Sequence, residues 1–179
     1  MNAGAELTGD QQIASDAFAA WLASPADGTP FVLSGFAGSG KTFLSMRLLR
    51  QVEASGLCWT VVAPTHKAVG VLRQALELEG LNPAWYPSTI HRLLRLKLKR
   101  QGDIELCEPT EQTAMALEHL GLVLVDEASM VDSTLLGIAL QCAHPFKTRL
   151  VFVGDPAQLP PVGEAVSYTH LRAHETSLH

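Results

Sequence analysis

Hydrophobic positions along the chain follow two patterns. Short uninterrupted apolar runs, which predict strands buried on both faces, occupy residues 31–33, 59–63, 122–125 and 150–153. Apolar residues at helical spacing predict helices over residues 11–22, 42–54 and 67–79. Because strands alternate with helices, we predict an α/β fold in which a parallel sheet is covered by helices on both sides.

Two segments depart from this alternation. In residues 93–108, Leu alternates with Arg or Lys, a turn signal follows at residues 101–103, and the alternation then resumes. This pattern predicts a small β-hairpin inserted into the domain. Residues 165–179 contain three of the seven histidines, no glycine or proline, and no continuation of the strand–helix alternation.

Composition and charge narrow the class of protein. With 47% hydrophobic and 17% charged residues, the chain is not disordered throughout. No apolar run is long enough for a membrane span, and the N-terminus has no secretory signal, so we expect a cytoplasmic location. Three widely separated cysteines predict neither a disulfide framework nor a zinc site.

A net charge of −5 argues against a protein that coats nucleic acid by bulk charge. Five of the 13 basic residues nevertheless lie within residues 91–100, at the start of the predicted hairpin. A charge run of this kind is either a solvated face or a contact for duplex DNA, and the residues alone leave both interpretations open.

The strongest chemical signal is a complete G-x-x-x-x-G-K-[ST] motif that follows the first predicted strand and begins a helix. In such a loop, glycines turn the backbone N–H groups toward phosphates, the helix N-terminus adds partial positive charge, and the lysine reaches the β- and γ-phosphates. We therefore predict a nucleotide site at Gly35, Ala37, Gly38, Ser39, Gly40, Lys41 and Thr42.

Asp126 and Glu127 come directly after the apolar run 122–125, at the end of a predicted strand where ligands bind in open α/β sheets. With the phosphate loop present, Asp126 suits Mg²⁺ binding and Glu127 suits activation of an attacking water. By itself, an acidic pair after a strand is more often solvated surface.

Six segments in order resemble the motif series of superfamily 1 DNA helicases, and most closely the RecD/Dda-like branch that moves 5′-to-3′. They are LTGDQ (7–11), GFAGSGKT (35–42), APTHK (63–67), STIH (88–91), VDEASMVD (125–132) and GDPAQLPPV (154–162). The similarity covers about residues 7–164. It implies a RecA-like P-loop NTPase motor that uses ATP and Mg²⁺ and binds single-stranded DNA and single/double-strand junctions.

The resemblance also implies roles for the nucleotide-site residues. Gln11 resembles the glutamine that reads adenine, and Lys41 with Thr42 resembles the phosphate and Mg²⁺ contacts. Asp126 and Glu127 resemble the Mg²⁺ ligand and catalytic base. Without the resemblance, Gln11 is more simply a polar residue at the start of a helix.

Further roles follow for the third motif region and for DNA. Gln158 resembles the glutamine that senses the γ-phosphate, and Asp155 lies where nucleotide and DNA binding are coupled. Two segments resemble the contacts to the single strand, namely Pro64, Thr65, His66, Lys67, Thr89 and His91. The predicted hairpin falls where this branch has its strand-separating pin, which would involve Arg95, Lys97, Lys99 and Arg100.

The chain departs from the family pattern after residue 164. These helicases have two RecA-like domains, and the second supplies an arginine finger, whereas the only arginine after Val162 is Arg172. We therefore expect a missing second domain. We divide the chain into an adenine-motif helix and linker (1–29), a RecA-like ATPase domain (30–164) and a non-native tail (165–179) that resembles translated adapter or vector sequence.

Two alternatives belong to other classes of function. The first is a different phosphate-loop enzyme. A GTPase would need an N-K-x-D element, which the sequence lacks. A small-molecule kinase would need a basic lid, and the only basic cluster in the sequence is the hairpin. A nucleotide-dependent binding module without turnover is the other.

Overall fold

The computed structural model describes the backbone of residues 6–155 and 174–178 and the side chains of residues 6–103 and 107–155. Its strands, in chain order, are β1 Phe31–Gly35, β2 Trp59–Ala63, β3 Ser88–Thr89, β4 Lys97–Gln101, β5 Ile104–Glu108, β6 Leu122–Val125, β7 Arg149–Gly154 and β8 His174–Leu178. Six of them form one parallel sheet in the spatial order β3-β2-β6-β7-β1-β8. The four predicted apolar runs are confirmed as β1, β2, β6 and β7.

The helices in the same part of the chain are α1 Gly9–Ala23, α2 Lys41–Ala54, α3 His66–Glu79, α4 Ile90–Leu94, α5 Glu111–Glu118 and α6 Ser133–Ala143. The first three confirm the predicted helices. Hydrophobic periodicity does not mark the others, because α4 and α5 are short and α6 is apolar on most sides. None of the described helices is long and apolar enough to cross a membrane.

Side chains of the central strands alternate between two cores. Phe31 and Leu33 pack with α1, α2 and α3, whereas Val32 packs with the residues of α4, α5 and α6. On β2, Trp59 belongs to the first of these cores and Val62 to the second. Because successive strand side chains point to opposite faces and both faces are covered, these strands are apolar without interruption. The predicted helix-covered parallel sheet is confirmed.

An aromatic cluster fixes α1 against the sheet. The rings of Phe18, Trp21 and Phe31 lie with centroids 5.1 to 5.6 Å apart, in tilted and edge-to-face arrangements that aromatic pairs favour. Arg149 adds a hydrogen bond of 3.1 Å from its guanidinium to the Trp21 carbonyl. This packing places the N-terminal turn of α1 beside the end of β1.

The inserted hairpin is confirmed, but its predicted start at residue 93 is wrong. Strands β4 and β5 pair antiparallel in a separate two-stranded sheet, whereas residues 90–94 form α4. The hydroxyl of Thr89 caps this short helix, Ile90 and Leu94 bury their side chains, and Arg95 ends the helix in a left-handed conformation. Helix capping by Thr89 and burial of Leu93 and Leu94 therefore favour a helix here, although the alternation of residues 93–96 predicts a strand.

β8 extends the sheet where the sequence pattern predicted no strand. Its backbone pairs in parallel with β1, with Phe31 opposite His174 and Gly35 opposite Leu178. Pairing at a sheet edge uses backbone N–H and C=O groups, so it does not require an alternation of apolar residues. The non-native origin of residues 165–179 and the three domain boundaries remain predictions.

Candidate functional site

The carboxyl ends of the parallel strands bring the predicted site residues to one edge of the sheet. β1 leads into the phosphate loop, and Asp126 and Asp155 directly follow β6 and β7. β2 and β3 end at the same edge, next to Thr65 and Thr89. In the strand order, β3 and β2 lie at one end and β7 and β1 toward the other, so this edge has a predicted DNA side and a predicted nucleotide side.

The phosphate loop has the backbone that its glycines predict. Gly38 and Gly40 have φ angles of 78° and 81°, which residues with a side chain rarely adopt. Gly40 precedes the first residue of α2, and no side chain caps that helix end. The first N–H groups of α2 are therefore available to an anion. The Ser39 hydroxyl is buried in the loop and has no hydrogen-bond partner among the described residues.

Lys41 folds its side chain back over this loop. Its ammonium donates hydrogen bonds to the carbonyl oxygens of Gly35 and, at 2.9 Å, Phe36. Thr42, on the next position of α2, is exposed. The cation and the hydroxyl thus lie at the two positions from which a phosphate-loop helix contacts phosphate oxygens and Mg²⁺.

The Asp126 carboxyl group at this edge has a perturbed pKa. Burial raises the pKa of Asp126 above its ordinary value, and the Glu127 charge adds to the rise. A hydrogen bond of 2.9 Å from the Glu127 N–H to Oδ1 and the positive charge of Lys41 both lower the pKa. Lys41 therefore acts electrostatically on Asp126 although the two residues are far apart in the sequence.

Glu127 has an exposed side chain and a strained backbone. Its φ of 49° lies in the left-handed region, which costs a residue other than glycine about 1 kcal/mol or more. The Glu127 carbonyl accepts a hydrogen bond of 2.9 Å from the Met130 N–H in the turn that follows. This turn packs against β7, with Ala128 buried in the core directly after the acidic pair.

Gln11 makes contacts in two directions. Its Oε1 accepts from the Thr8 N–H at 3.1 Å and its own N–H donates to the Thr8 hydroxyl, which completes a capping box at the start of α1. Its Nε2 donates to the Ser39 carbonyl of the phosphate loop at 3.5 Å. Gln11 is thus both the helix-capping residue that its position predicts and a neighbour of the nucleotide loop.

The two segments predicted to contact DNA meet in one cleft. A cavity of about 380 Å³ lies between α3, α4 and the segment that leads into β3, and His66, Thr89 and Arg95 line it. The hydroxyls of Thr65 and Thr89 both cap helices, accepting from Ala68 N–H at 3.2 Å and Arg92 N–H at 3.3 Å. Each hydroxyl keeps its own proton to donate to a phosphate oxygen.

Three further residues of this cleft were missed by the sequence reasoning, namely Arg73, Trp85 and Tyr86, whereas Arg92 was noted only as a member of the basic cluster. Arg73 belongs to the middle of α3, where nothing in the periodicity distinguishes it. Trp85 and Tyr86 lie between two prolines, immediately before the STIH segment. An aromatic pair in such a loop, next to a predicted nucleic-acid contact, is a signal that could have identified them.

The remaining predicted DNA residues lie around the cleft and on the hairpin. Pro64 is half-buried, and Lys67 and His91 are exposed on their helices. All five residues of β4, which include Lys97, Lys99 and Arg100, are exposed. The basic strand faces an acidic partner strand, because Lys99 pairs with Glu108 at 3.2 Å and Arg100 lies opposite Glu105 in the register.

The third motif region is only partly described. Asp155 is half-buried at the end of β7, whereas Gln158 lies outside the described residues, as do the remainder of that motif and Arg172. The role of Gln158 in sensing the γ-phosphate stays a prediction.

A nucleoside triphosphate with Mg²⁺ fits the residues at the phosphate loop. The uncapped start of α2 and the unpartnered Ser39 hydroxyl supply donors for phosphate oxygens. The Thr42 hydroxyl and the Asp126 carboxylate would offer Mg²⁺ two oxygen ligands. Mg²⁺ in such sites uses one or two protein ligands together with phosphate oxygens, and within the described ranges no three His, Cys, Asp or Glu groups cluster as a metal cage.

The sequence matches a family of known proteins over nearly its whole length. The family described as "AAA domain" matches residues 7–179. The RecBCD enzyme subunit RecD of Mycolicibacterium smegmatis is 34% identical over 151 residues, a match that covers 73% of this chain and 25% of that protein. The ATP-dependent RecD2 DNA helicase of Deinococcus radiodurans is 34% identical over 131 residues, covering 73% of this chain and 16% of that protein. The chain therefore spans about a quarter or less of these relatives.

Solved structures agree on the fold. Bacteroides sp Pif1 in complex with ADP-AlF4 has a TM-score of 0.66 and 21% identity, and the match covers 97% of this chain and 42% of that one. Bacteroides Pif1 bound to ssDNA has a TM-score of 0.63 at 21% identity, with coverage of 97% and 42%. At this identity the likeness shows the fold alone, and the match to the AAA domain over residues 7–179 carries the family assignment. The chain belongs to the AAA domain family and is similar to the RecD-type helicases over most of its length.

Proposed function

We propose that this domain hydrolyses ATP to drive 5′-to-3′ translocation along single-stranded DNA, as the N-terminal motor half of a DNA helicase. The observation that carries the proposal is the placement of the phosphate loop and the Asp126–Glu127 pair at one edge of the sheet, where the charge of Lys41 lowers the pKa of Asp126. The relative whose name is ATP-dependent RecD2 DNA helicase supports ATP and DNA as the substrates.

Each residue of the nucleotide site has a distinct part in hydrolysis. Lys41 holds the β- and γ-phosphates, while the loop N–H groups and the start of α2 surround them. Thr42 and Asp126 would hold Mg²⁺, which neutralises phosphate charge when it is bound. Glu127 accepts a proton from the attacking water as the water oxygen bonds to the γ-phosphorus and the bond to the β–γ bridging oxygen breaks.

Three further residues act around the phosphates. Gln11 presents its amide to adenine from the turn that contacts Ser39. Asp155, at the end of β7, and Gln158 respond to the γ-phosphate and link nucleotide state to DNA. A second RecA-like domain supplies the arginine finger and closes on the nucleotide, because a motor of this kind moves by opening and closing a cleft between two domains.

DNA runs along the β2–β3 side of the same edge. The hydroxyls of Thr65 and Thr89 and the exposed Lys67 hold phosphates without reading sequence, with Pro64, His66 and His91 beside them. Lys97, Lys99 and Arg100 on the hairpin, together with Arg95 at the end of α4, contact the duplex at a single/double-strand junction. The protein works in the cytoplasm on DNA.

The test is phosphate release by the purified 179-residue chain with ATP and Mg²⁺, with and without single-stranded DNA. We expect slow release, and no displacement of a strand from a duplex with a 5′ overhang, because one domain lacks the second half of the cleft. Release with GTP in preference to ATP would favour a different phosphate-loop enzyme. Nucleotide binding with no release above a Lys41→Ala background would favour a binding module without turnover.

A further inference from the structure

We propose that the cleft between α3, α4 and residues 84–89 is a nucleobase pocket, in which Trp85 and Tyr86 stack against bases of single-stranded DNA. The inference rests on the proposed function and adds contacts that no motif of the chain assigns. The cleft lies beside β3 and β2, whereas the phosphate loop follows β1, three strands further along the sheet from β2. It is therefore separate from the nucleotide site.

The aromatic pair is exposed but held in place. Tyr86 has 74% and Trp85 36% of its surface accessible. Arg73 donates a hydrogen bond of 2.9 Å to the Tyr86 hydroxyl, and its guanidinium carbon lies 4.9 Å from the centroid of the Tyr86 ring. The Thr60 hydroxyl donates to the Trp85 carbonyl at 2.8 Å, which ties this segment to β2.

Such anchoring lowers the entropy cost of binding. A loop already fixed by hydrogen bonds to β2 loses little freedom when a ligand stacks on it. The Ala84 N–H adds a second link, donating to the Trp59 carbonyl at 2.8 Å. An aromatic platform presented in this way gains the area of each stacked base without first having to order itself.

The charge around the pocket suits a polyanion whose bases enter the cleft. Arg92 and Arg95 line it together with His66 and Thr89, on a chain whose net charge is −5. Arginine holds phosphates by paired hydrogen bonds and also stacks on aromatic planes. The Nε of Arg73 is buried and has no hydrogen-bond partner among the described residues.

Size and chemistry both favour a flat ring. The volume of about 380 Å³ lies in the lower part of the roughly 300–1,000 Å³ range of ligand sites. Aromatic side chains combined with a positively charged rim are the elements by which proteins bind single strands without sequence preference. The aromatic side chains and the positive rim occur together between the two segments that are predicted to contact DNA, residues 64–67 and 89–91. This combination selects single-stranded DNA as the occupant.

The experiment compares two polymers of equal charge. The full 179-residue chain is titrated into end-labelled dT12 and into an abasic deoxyribose-phosphate 12-mer, and anisotropy reports binding. Stacking is worth roughly 1–3 kcal/mol per base, which at about 1.4 kcal/mol per tenfold corresponds to about a 5- to 150-fold preference for dT12. We expect Tyr86→Ala and Trp85→Ala to lose most of this preference, whereas Tyr86→Phe, which keeps the ring, retains a preference for dT12.

Intrinsic fluorescence supplies a second readout. Of the three tryptophans, Trp21 and Trp59 are 4% and 2% exposed, so Trp85 is the one that a base can reach. We expect dT12 to quench the fluorescence of the wild-type chain, the abasic polymer not to do so, and Trp85→Phe to lose the quench. Leu78→Ala, at an exposed apolar position of α3, is the control for surface truncation.

The outcomes separate this inference from the proposed function. Equal affinity for the two polymers, or an undiminished preference in both alanine variants, would overturn the pocket and leave DNA binding through phosphates intact. Binding to neither polymer at low salt would overturn the pocket and the proposed function together. Since Tyr86 is largely exposed, we expect Tyr86→Ala to fold. This variant therefore tests the pocket even if Trp85→Ala fails to fold.

Discussion

The side-chain nitrogen of Gln11 lies 2.8 Å from the point where any Cβ at position 40 would be placed. Gly40 also has a φ of 81°, so the backbone favours glycine there, and a side chain at position 40 would displace the Gln11 amide. The same amide group donates to the Ser39 carbonyl. One side chain of α1 thus packs directly on the turn that leads into α2.

Gln11→Glu should separate helix capping from nucleotide binding. A carboxylate still accepts from the Thr8 N–H and suits a helix N-terminus, so we expect unchanged thermal stability. It has no N–H to donate to Ser39 or to adenine, so ATP affinity should fall. Gln11→Ala should lower ATP affinity and also cost about 1 kcal/mol of unfolding free energy.

Calorimetric ATP titration and thermal denaturation measure these two effects. Gln12→Ala is the matched control, since the neighbouring Gln12 side chain is exposed and bonds Asp16 at 2.8 Å. Equal ATP affinity of Gln11→Glu and the wild-type chain would remove Gln11 from the nucleotide site and leave it a capping residue.

Lys41→Ala and Glu127→Gln should fail at different steps. Lys41→Ala should abolish measurable ATP binding, because it removes the cation that is folded over the loop. Glu127→Gln keeps the size of the side chain but removes the base, so ATP should bind while turnover falls by roughly 10²–10⁴-fold. Fluorescent-nucleotide binding and phosphate release on the same preparations distinguish the two steps. Equal loss of binding in both variants would contradict the assigned roles.

Asp126→Asn should stabilise the fold and impair the Mg²⁺ site. Burial raises the pKa of Asp126 in the folded chain. Above about pH 4, where an unfolded aspartate ionises, the unfolded chain therefore releases its proton first, and stability falls until the folded carboxyl also ionises. At about pH 7 the folded chain still bears the desolvation cost of the Asp126 carboxylate. Asp126→Asn removes this cost, because an amide carries no charge.

Thermal denaturation at several pH values checks the sign. The melting temperature of Asp126→Asn should exceed that of the wild type at about pH 7, and the gap should close as the pH approaches about 4. ATP with Mg²⁺ should raise the wild-type melting temperature more than that of the variant. Asp103→Asn, in the exposed hairpin turn, should show neither effect. A less stable Asp126→Asn at neutral pH would contradict the desolvation argument.

Neutralising the hairpin should weaken DNA binding without creating a sequence preference. If each of Arg95, Lys97, Lys99 and Arg100 neutralises one phosphate of the duplex, replacing it by Gln should reduce the slope of log K against log salt by roughly 0.9. Because Lys99 is already paired with Glu108, we expect the fourfold variant to change the slope by less than four independent cations would.

Glu108→Gln is the converse variant. It releases Lys99 from its partner and should strengthen DNA binding at low salt. Binding isotherms at several salt concentrations measure both changes. If the slope stays the same in the fourfold variant, the hairpin is a solvated face.

The sequence by itself determined the fold class and the nucleotide loop. Four short uninterrupted apolar runs indicated strands covered on both faces, and G-x-x-x-x-G-K-[ST] specifies its own backbone through Gly38 and Gly40. It also placed Asp126 at a strand end. These features are local, since a few adjacent residues contain all the information that specifies them.

Tertiary structure decided which distant residues meet. The start of the hairpin at Lys97 depends on burial of Leu93 and Leu94 beneath neighbouring helices, and β8 depends on backbone pairing with an open strand edge. The contact of Gln11 with Ser39 and the convergence of Arg73 with Tyr86 join segments that are far apart or unmarked in the sequence. Hydrophobic periodicity records which face of an element is buried, but it carries no information about what that face, or the edge of the sheet, is packed against.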